Sequence, residues 1–303
     1  MGLRGVICCL VLVGCGSVTD DTPRDAPAGG DGSGSGSDGP PGARCDPTKT
    51  FGTPTLVEAV NSSNDETAFS LTRDEQTAFV GRVFQPPIST AQIFVSHRGN
   101  DGKFAAPTMD ETSSLNGTGG DEYSPSPVAD GLTLYFHRQD TAQIAIHAAS
   151  RTDATATFAV DSVVTAGTSG IVNALSPTIS DDGQTLYWLD FGDFKLRSAT
   201  RGGTPTIFNP PTLASTVDMG AAPVLTSDEL TMFYTQGNAT DILVSTRATK
   251  TDAFGIGIPV ENVNSAAQDM PVWLTRDGCV LYLASTRSGG LGGFDLWEAH
   301  RPQ

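Results

Sequence analysis

No window of this 303-residue chain sustains the 3.6-residue apolar repeat of an amphipathic helix, so helix is excluded as its main building material. Lysine and arginine number 18 against 34 acidic residues, a formal net charge of −16, and no basic cluster occurs anywhere. That lack excludes the phosphate contacts on which nucleic-acid binding rests. Histidine is scarce, at four residues. His97 and His300 each stand one residue before an arginine, and His137 and His147 lack the spacing of metal ligands. No Ser-His-Asp arrangement, glycine-rich phosphate loop or His-x-x-x-His pair is present, so no catalytic residue is assigned and the expectation is that the protein is not an enzyme. The acidity suits solubility and would also accommodate cationic partners or divalent ions.

What the chain does contain is one word said five times. Turns fall at Asp74-Glu75, Asp130-Gly131, Asp182-Gly183, Asp228-Glu229 and Asp277-Gly278, about 50 residues apart, the period of propeller blades. Each turn leads into a short aromatic or apolar run, such as Leu134-Tyr135-Phe136 or Leu186-Tyr187-Trp188. A second run then ends on Arg98, Arg151, Arg201, Arg247 or Arg301. Six or seven residues after the first four arginines stands Phe104, Phe158, Phe208 or Phe254, while Phe51 holds that place with no arginine unit before it. Runs of this length, rich in β-branched and aromatic residues and bounded by Gly, Pro and Asp, read as strands, and Asp-Gly between two of them reads as a hairpin. Glutamate at two of the turns predicts a different turn type there. Pro125 or Pro127, Pro177, Pro223 and Pro271 precede the turns and remove a ladder donor, which suits the strand lining a channel.

The last unit stops at Arg301 without a Phe-led strand of its own, and the first begins with one that has no blade. The segment around 53–60 is therefore expected to dock as the outer strand of the final blade and remove the edge an open array would leave. The fold class expected is all-β: a five-bladed propeller of four-stranded antiparallel blades, or six blades if 99–122 hides extra strands.

The pattern Pro-x-x-x-x-Asp-Gly, Leu-Tyr-Phe, then Asp-Leu to Arg, clearest from Pro271 to Arg301, resembles the WD-like propeller repeats of TolB-like bacterial envelope proteins. The resemblance covers most of 48–301. It implies a rigid, non-enzymatic platform for binding or scaffolding, and offers no catalytic residue to carry over.

Ahead of the repeats, Arg4, the apolar stretch Val6–Val13 and Leu12-Val13-Gly14-Cys15 resemble a bacterial lipoprotein signal, too short to span a bilayer. The expected organisation is a signal over 1–14, lipidation at Cys15, a Gly/Ser/Pro/Asp tether over 15–47 and a propeller over 48–303. Gly16 after the lipidated cysteine points to the outer membrane, with lipid as the only membrane contact. Of five cysteines, Cys45 and Cys279 remain for the mature domain in an oxidising compartment. Cys45 precedes the closing strand and Cys279 lies in the blade it joins, so either a disulfide staples the ring or both are free thiols.

One polar feature recurs. Glu66, Glu122, Asn173, Asp218 and Asp269 sit just upstream of the innermost strands, where they either cap backbone donors or ring a channel mouth for a divalent cation. No other cofactor is expected. The leading expectation is a monomeric envelope-anchored binding or scaffold module for a protein or envelope ligand. The alternative is a carbohydrate-binding or glycoside-hydrolase-type propeller, which inward acid pairs would favour and a channel of Ser, Thr and Pro would oppose. A purely structural lipoprotein comes third.

Overall fold

The computed structural model describes residues 44–303 apart from 87–88, 118, 160, 221–222 and 238–239; the expected signal, Cys15 and most of the tether lie outside them. Among the described residues no helix occurs, and the strands form six sheets. Five carry the repeated word. The first sheet is Asp65–Leu71, Thr77–Val83 and Ala91–His97; the second begins Asp121–Pro127, Thr133–Gln139, Ile144–Ser150. The third begins Ala174–Ile179, Thr185–Asp190, Leu196–Thr200; the fourth Val224–Leu225, Thr231–Tyr234, Leu243–Thr246. The fifth begins Asp269–Leu274, Val280–Ser285, Asp295–His300. The second, third and fourth sheets each add an outer strand of two residues, Ser162–Val163, Thr212–Leu213 and Ile258–Pro259.

The count of six corrects the main expectation of five and matches its alternative, though not where the alternative looked. Before the strand Asp121–Pro127 begins, the described residues of 99–120 contribute only bridges, Arg98 to Phe104 and Val95 to Thr108. The sixth sheet joins Thr165–Ala166, Ser169–Gly170 and Ile207–Phe208 at the junction of the second and third sheets. Its strands are two residues long and carry no turn word, so no periodicity announces them.

Closure occurs as the chain-end offset requires. Thr55–Leu56 pairs antiparallel with Asp295–His300 as the outer strand of the fifth sheet, Thr55 opposite Glu298 and Leu56 opposite Trp297. Cys45 and Cys279 form a disulfide with their Cα atoms 5.6 Å apart. Five hydrophobic clusters fill the gaps between neighbouring sheets; the one between fifth and first holds Phe69, Val80 and Tyr282 together with Cys45 and Cys279.

The spacing of arginine and phenylalanine has a physical cause. Each word-ending guanidinium lies over the following phenylalanine: Arg98 on Phe104 at 4.1 Å, Arg151 on Phe158 at 4.6 Å, Arg201 on Phe208 at 5.4 Å and Arg247 on Phe254 at 4.4 Å. Arg301 completes the set on Phe51 at 4.2 Å, across the closure. Half-desolvated cation–π contacts of this kind contribute about 1 kcal/mol each. In the first four the Nε also donates to the turn carbonyl of Glu75, Gly131, Gly183 or Glu229, so one side chain fixes hairpin, strand end and next segment.

Those turns share one geometry, which overturns the expectation that the two glutamates change it. Glu75 and Glu229 have φ of 57° and 60°, close to the 69–71° of Gly131, Gly183 and Gly278. The turn is set by the aspartate before, whose Oδ1 accepts the N–H two residues on in all five copies. A side chain at positive φ is strained, but here each carboxylate has a partner to hold. Glu229 accepts from the Tyr187 hydroxyl at 2.7 Å and from Lys250, and Glu75 takes both terminal nitrogens of Arg44.

A further repeat went unread in the sequence. Asn61, Asn116 and Asn264 each use Oδ1 to accept, and Nδ2 to donate to, the backbone of one residue on a neighbouring segment: Leu296, Ile93 and Ile242. An amide offers both functions at once, so it continues a strand's ladder where the main chain has turned away.

Candidate functional site: the central cavity

The first strands of the five word-bearing sheets surround one central cavity of about 610 Å³. Bulges shape its wall. Register shifts occur between Tyr123 and Ser126, Leu175 and Thr178, and Pro271 and Trp273, at the prolines that cannot donate to the ladder, and between Glu66 and Ala68 in the copy without proline. Hydroxyls lace the inner strands together: Ser70 donates to the Pro125 carbonyl, Ser126 accepts from the Ile179 N–H, and Thr178 donates to the Pro223 carbonyl.

At the turn face the cavity meets an ion cluster drawn from three sheets. Asp181 Oδ2 lies 3.1 Å from Arg73 Nη2 and 2.9 Å from Arg276 Nε, and the Asp181 carbonyl accepts a further bond from Arg73. These three side chains stand at the same repeat position, the residue before the turn aspartate, where the other copies carry Ala129 and Ser227. They form a floor. The opposite, loop-face end is rimmed by Asp65, Asp193 and Asp218 with Phe194 and Phe294. Asp193 pairs with Arg197 and Asp218 with Lys195, each at 2.5 Å, while Asp65 accepts from the Phe294 N–H and from Gln85. Between floor and rim lie Tyr123, Ser124, Ser176 and His137.

The acidic ring read from the sequence is divided by the structure. Of its five members only Asp218 reaches the cavity, with its side chain 65% exposed. Glu66, Glu122 and Asp269 have fully buried side chains, each held by an arginine at the end of the adjoining strand or just past it: Arg82 at 2.6 Å, Arg138 at 2.8 Å and Arg287 at 2.5 Å. Glu66 and Asp269 also cap loops, accepting both N–H and hydroxyl of Ser62 and Ser265. Asn173 is exposed with φ of 52°. Among the described residues no group of three or more His, Cys, Asp or Glu side chains is placed to hold a metal ion. The signal for the buried pairs was an arginine recurring at the end of the aromatic strand, sixteen residues after the glutamate in two copies.

Burial sets the ionisation of these groups. It raises the Glu66 carboxyl above its ordinary range against the pull of Ser62 and Arg82, and takes Glu122 up to about 7. Arg138 also clamps Asp161 with both terminal nitrogens, at 2.8 and 2.9 Å, and His147 bonds the same carboxylate. Those bonds outweigh burial at Asp161 and hold it down to about 2. His97 and His300 occupy their repeat-equivalent places, with Nε2 within 4 Å of a carboxylate oxygen of Glu111 and Glu298.

No protein-family model and no curated relative matches the sequence. Solved structures do match in fold. The GH43_1 enzyme from Xanthomonas citri complexed with xylotriose aligns at TM-score 0.59 and 13% identity over 82% of this chain and 89% of its own. The catalytic domain of the Coprinopsis cinerea GH62 alpha-L-arabinofuranosidase aligns at 0.57 and 12% over 84% and 97%, and the RS223 beta-xylosidase at 0.56 and 12% over 82% and 94%. These likenesses establish the β-propeller fold that the TolB-like resemblance implied. The expectation of a non-enzymatic platform is corrected by the same finding: the propellers this fold matches are catalytic domains and enzymes, so the fold does not imply a non-enzymatic role.

Proposed function

We propose that this chain is a carbohydrate-active propeller that takes the end of a saccharide into its central cavity from the loop face. The observation that carries the reading is the cavity itself: bordered at the turn face by the Arg73–Asp181–Arg276 cluster, of the volume that small-ligand sites have, walled by hydroxyls and aromatic rings, and rimmed by carboxylates. A sugar ring needs that mixture, apolar faces for its C–H groups and short polar side chains for its hydroxyls. The Ser, Thr and Pro lining of the wall counts against this reading by the criterion drawn from the sequence; what favours it is the rim, which supplies the carboxylates that glycoside hydrolysis requires, Asp65 with Asp193 or Asp218. Similarity of fold to an arabinofuranosidase, a beta-xylosidase and an enzyme complexed with xylotriose makes neutral pentose oligomers the first substrates to try.

Calorimetric titration with xylo- and arabino-oligosaccharides, with release of reducing sugar followed in parallel, tests the reading. Saccharide binding by the wild type is expected, with turnover falling at least about a hundredfold in Asp65→Asn and Asp218→Asn. Absence of binding and hydrolysis across the panel would overturn it. The domain is proposed to act at the cell envelope, held by the lipid of Cys15. Incorporation of labelled palmitate in a bacterial host should be lost in Cys15→Ser, and unchanged labelling would exclude that anchor.

A further inference from the structure

Two residues within the strands lining the cavity have a backbone that their side chains disfavour. Ser124 and Ser176 both have φ of 51°, and both immediately precede a proline, which itself steers the preceding residue toward extended backbone. They lie on the second and third sheets at the same repeat position, within the bulges, and their hydroxyls approach to 3.4 Å. Such strain persists only where surrounding structure imposes it, and it concentrates where a side chain must be aimed. Beside them the Ser176 N–H donates to His137 Nδ1 at 3.1 Å. A backbone donor makes that nitrogen the acceptor, so the neutral ring carries its hydrogen on Nε2. Burial holds His137 neutral by pushing it down to about 3, and its ring stacks on Tyr123 at 5.0 Å and 8°.

The charged residues of the cavity lie at its two ends, on the floor and the rim. A carboxylate or ammonium group carried to mid-cavity would be desolvated without an opposite charge to meet it. A neutral hydroxyl would meet a pair of hydroxyls that can donate or accept.

We propose that Ser124, Ser176 and His137 form a subsite that receives the hydroxyls of an uncharged sugar ring in mid-cavity, and that saccharides bearing a uronic acid at that position are excluded. The inference rests on the saccharide reading above and specifies which wall orients the ring and which substrate class is refused. These are positioning residues, acting through contact with hydroxyls away from the rim carboxylates.

The test uses xylotriose, its singly deoxygenated analogues and a glucuronic-acid-bearing xylo-oligosaccharide, titrated into the intact protein. Ser124→Ala and Ser176→Ala should each weaken xylotriose binding roughly tenfold. One deoxy analogue should bind the wild type and the alanine variant equally, because the contact is already missing. The uronic-acid ligand should bind at least about tenfold more weakly than xylotriose. Ser124→Gly and Ser176→Gly should melt a few degrees higher than wild type while binding as poorly as the alanine variants. A wild type that binds no oligosaccharide removes the saccharide reading and this subsite with it. Wild-type binding that the alanine and glycine variants retain, or tight binding of the uronic-acid ligand, overturns the subsite alone.

Discussion

Replacing Cys45 and Cys279 together with alanine is expected to lower the unfolding free energy by on the order of 5 kcal/mol, among the largest effects of any paired change in the domain. The disulfide closes a loop of sequence separation 234, so in the chain-entropy account it removes conformations from nearly the whole unfolded domain. The folded side of the balance points the same way. Both cysteines are buried in the cluster between the fifth and first sheets, beside a closing strand of only two paired residues. Guanidinium unfolding of wild type, wild type with reductant, and the double variant measures the effect. The two perturbed samples should coincide, with melting about 10 °C or more below wild type. A double variant that melts within about 2 °C of wild type would show that strand and cluster close the ring unaided.

Arg138→Met should cost about 3–5 kcal/mol, the usual result of removing one partner from a buried ion pair. Here one guanidinium serves two carboxylates, Glu122 with no side-chain exposure and Asp161 at 3%. The same cluster sets how stability varies with pH. Glu122 has its carboxyl raised from 4.5 to about 7, so its contribution favours the fold fully below 4.5 and is lost as pH rises through 7. Asp161 is lowered from 3.8 to about 2, so its contribution is present above 3.8 and lost as pH falls toward 2. Together they place the cluster's best pH between about 4 and 5. Denaturant unfolding from pH 4 to pH 8 should show wild-type stability declining between 4.5 and 7. Glu122→Gln should flatten that decline, and an unchanged slope in that variant would remove Glu122 as its source.

Much of the fold was legible because its contacts are local and recur. Arginine and phenylalanine six or seven residues apart are visible as spacing, and the cation–π contact behind them needs only that spacing and a turn. The offset of the first and last units likewise specified the closing strand and gave Cys45 a reason to meet Cys279. What stayed hidden is what lacks a period or lies between copies. The sixth sheet has strands of two residues. Glu75 and Glu229 look like departures from a glycine turn until Arg44, Tyr187 and Lys250 are seen around them. Glu66, Glu122 and Asp269 share a position in the repeat that allowed two readings, caps on backbone donors or a ring at the channel mouth; Glu66 and Asp269 do cap, and the arginines that bury all three come from the other side of a hairpin. The cavity follows the rule that identity in every copy builds fold while difference builds the site. The residue before the turn aspartate is Arg, Ala, Asp, Ser and Arg in the five copies, and that irregularity makes the floor.

The disulfide also determines how the domain bears tension. A pull transmitted along the chain from its N-terminal side reaches Cys45 before it reaches Thr55–Leu56. The load passes through sulfur into Cys279, beside the middle strand Val280–Ser285 of the fifth sheet, and bypasses the two-residue pairing that closes the ring. Peeling an edge strand breaks its hydrogen bonds one at a time, whereas drawing on a strand bonded on both sides loads many together. A domain held by its leading segment would therefore keep its ring shut under drag that would unzip the same fold without the bridge.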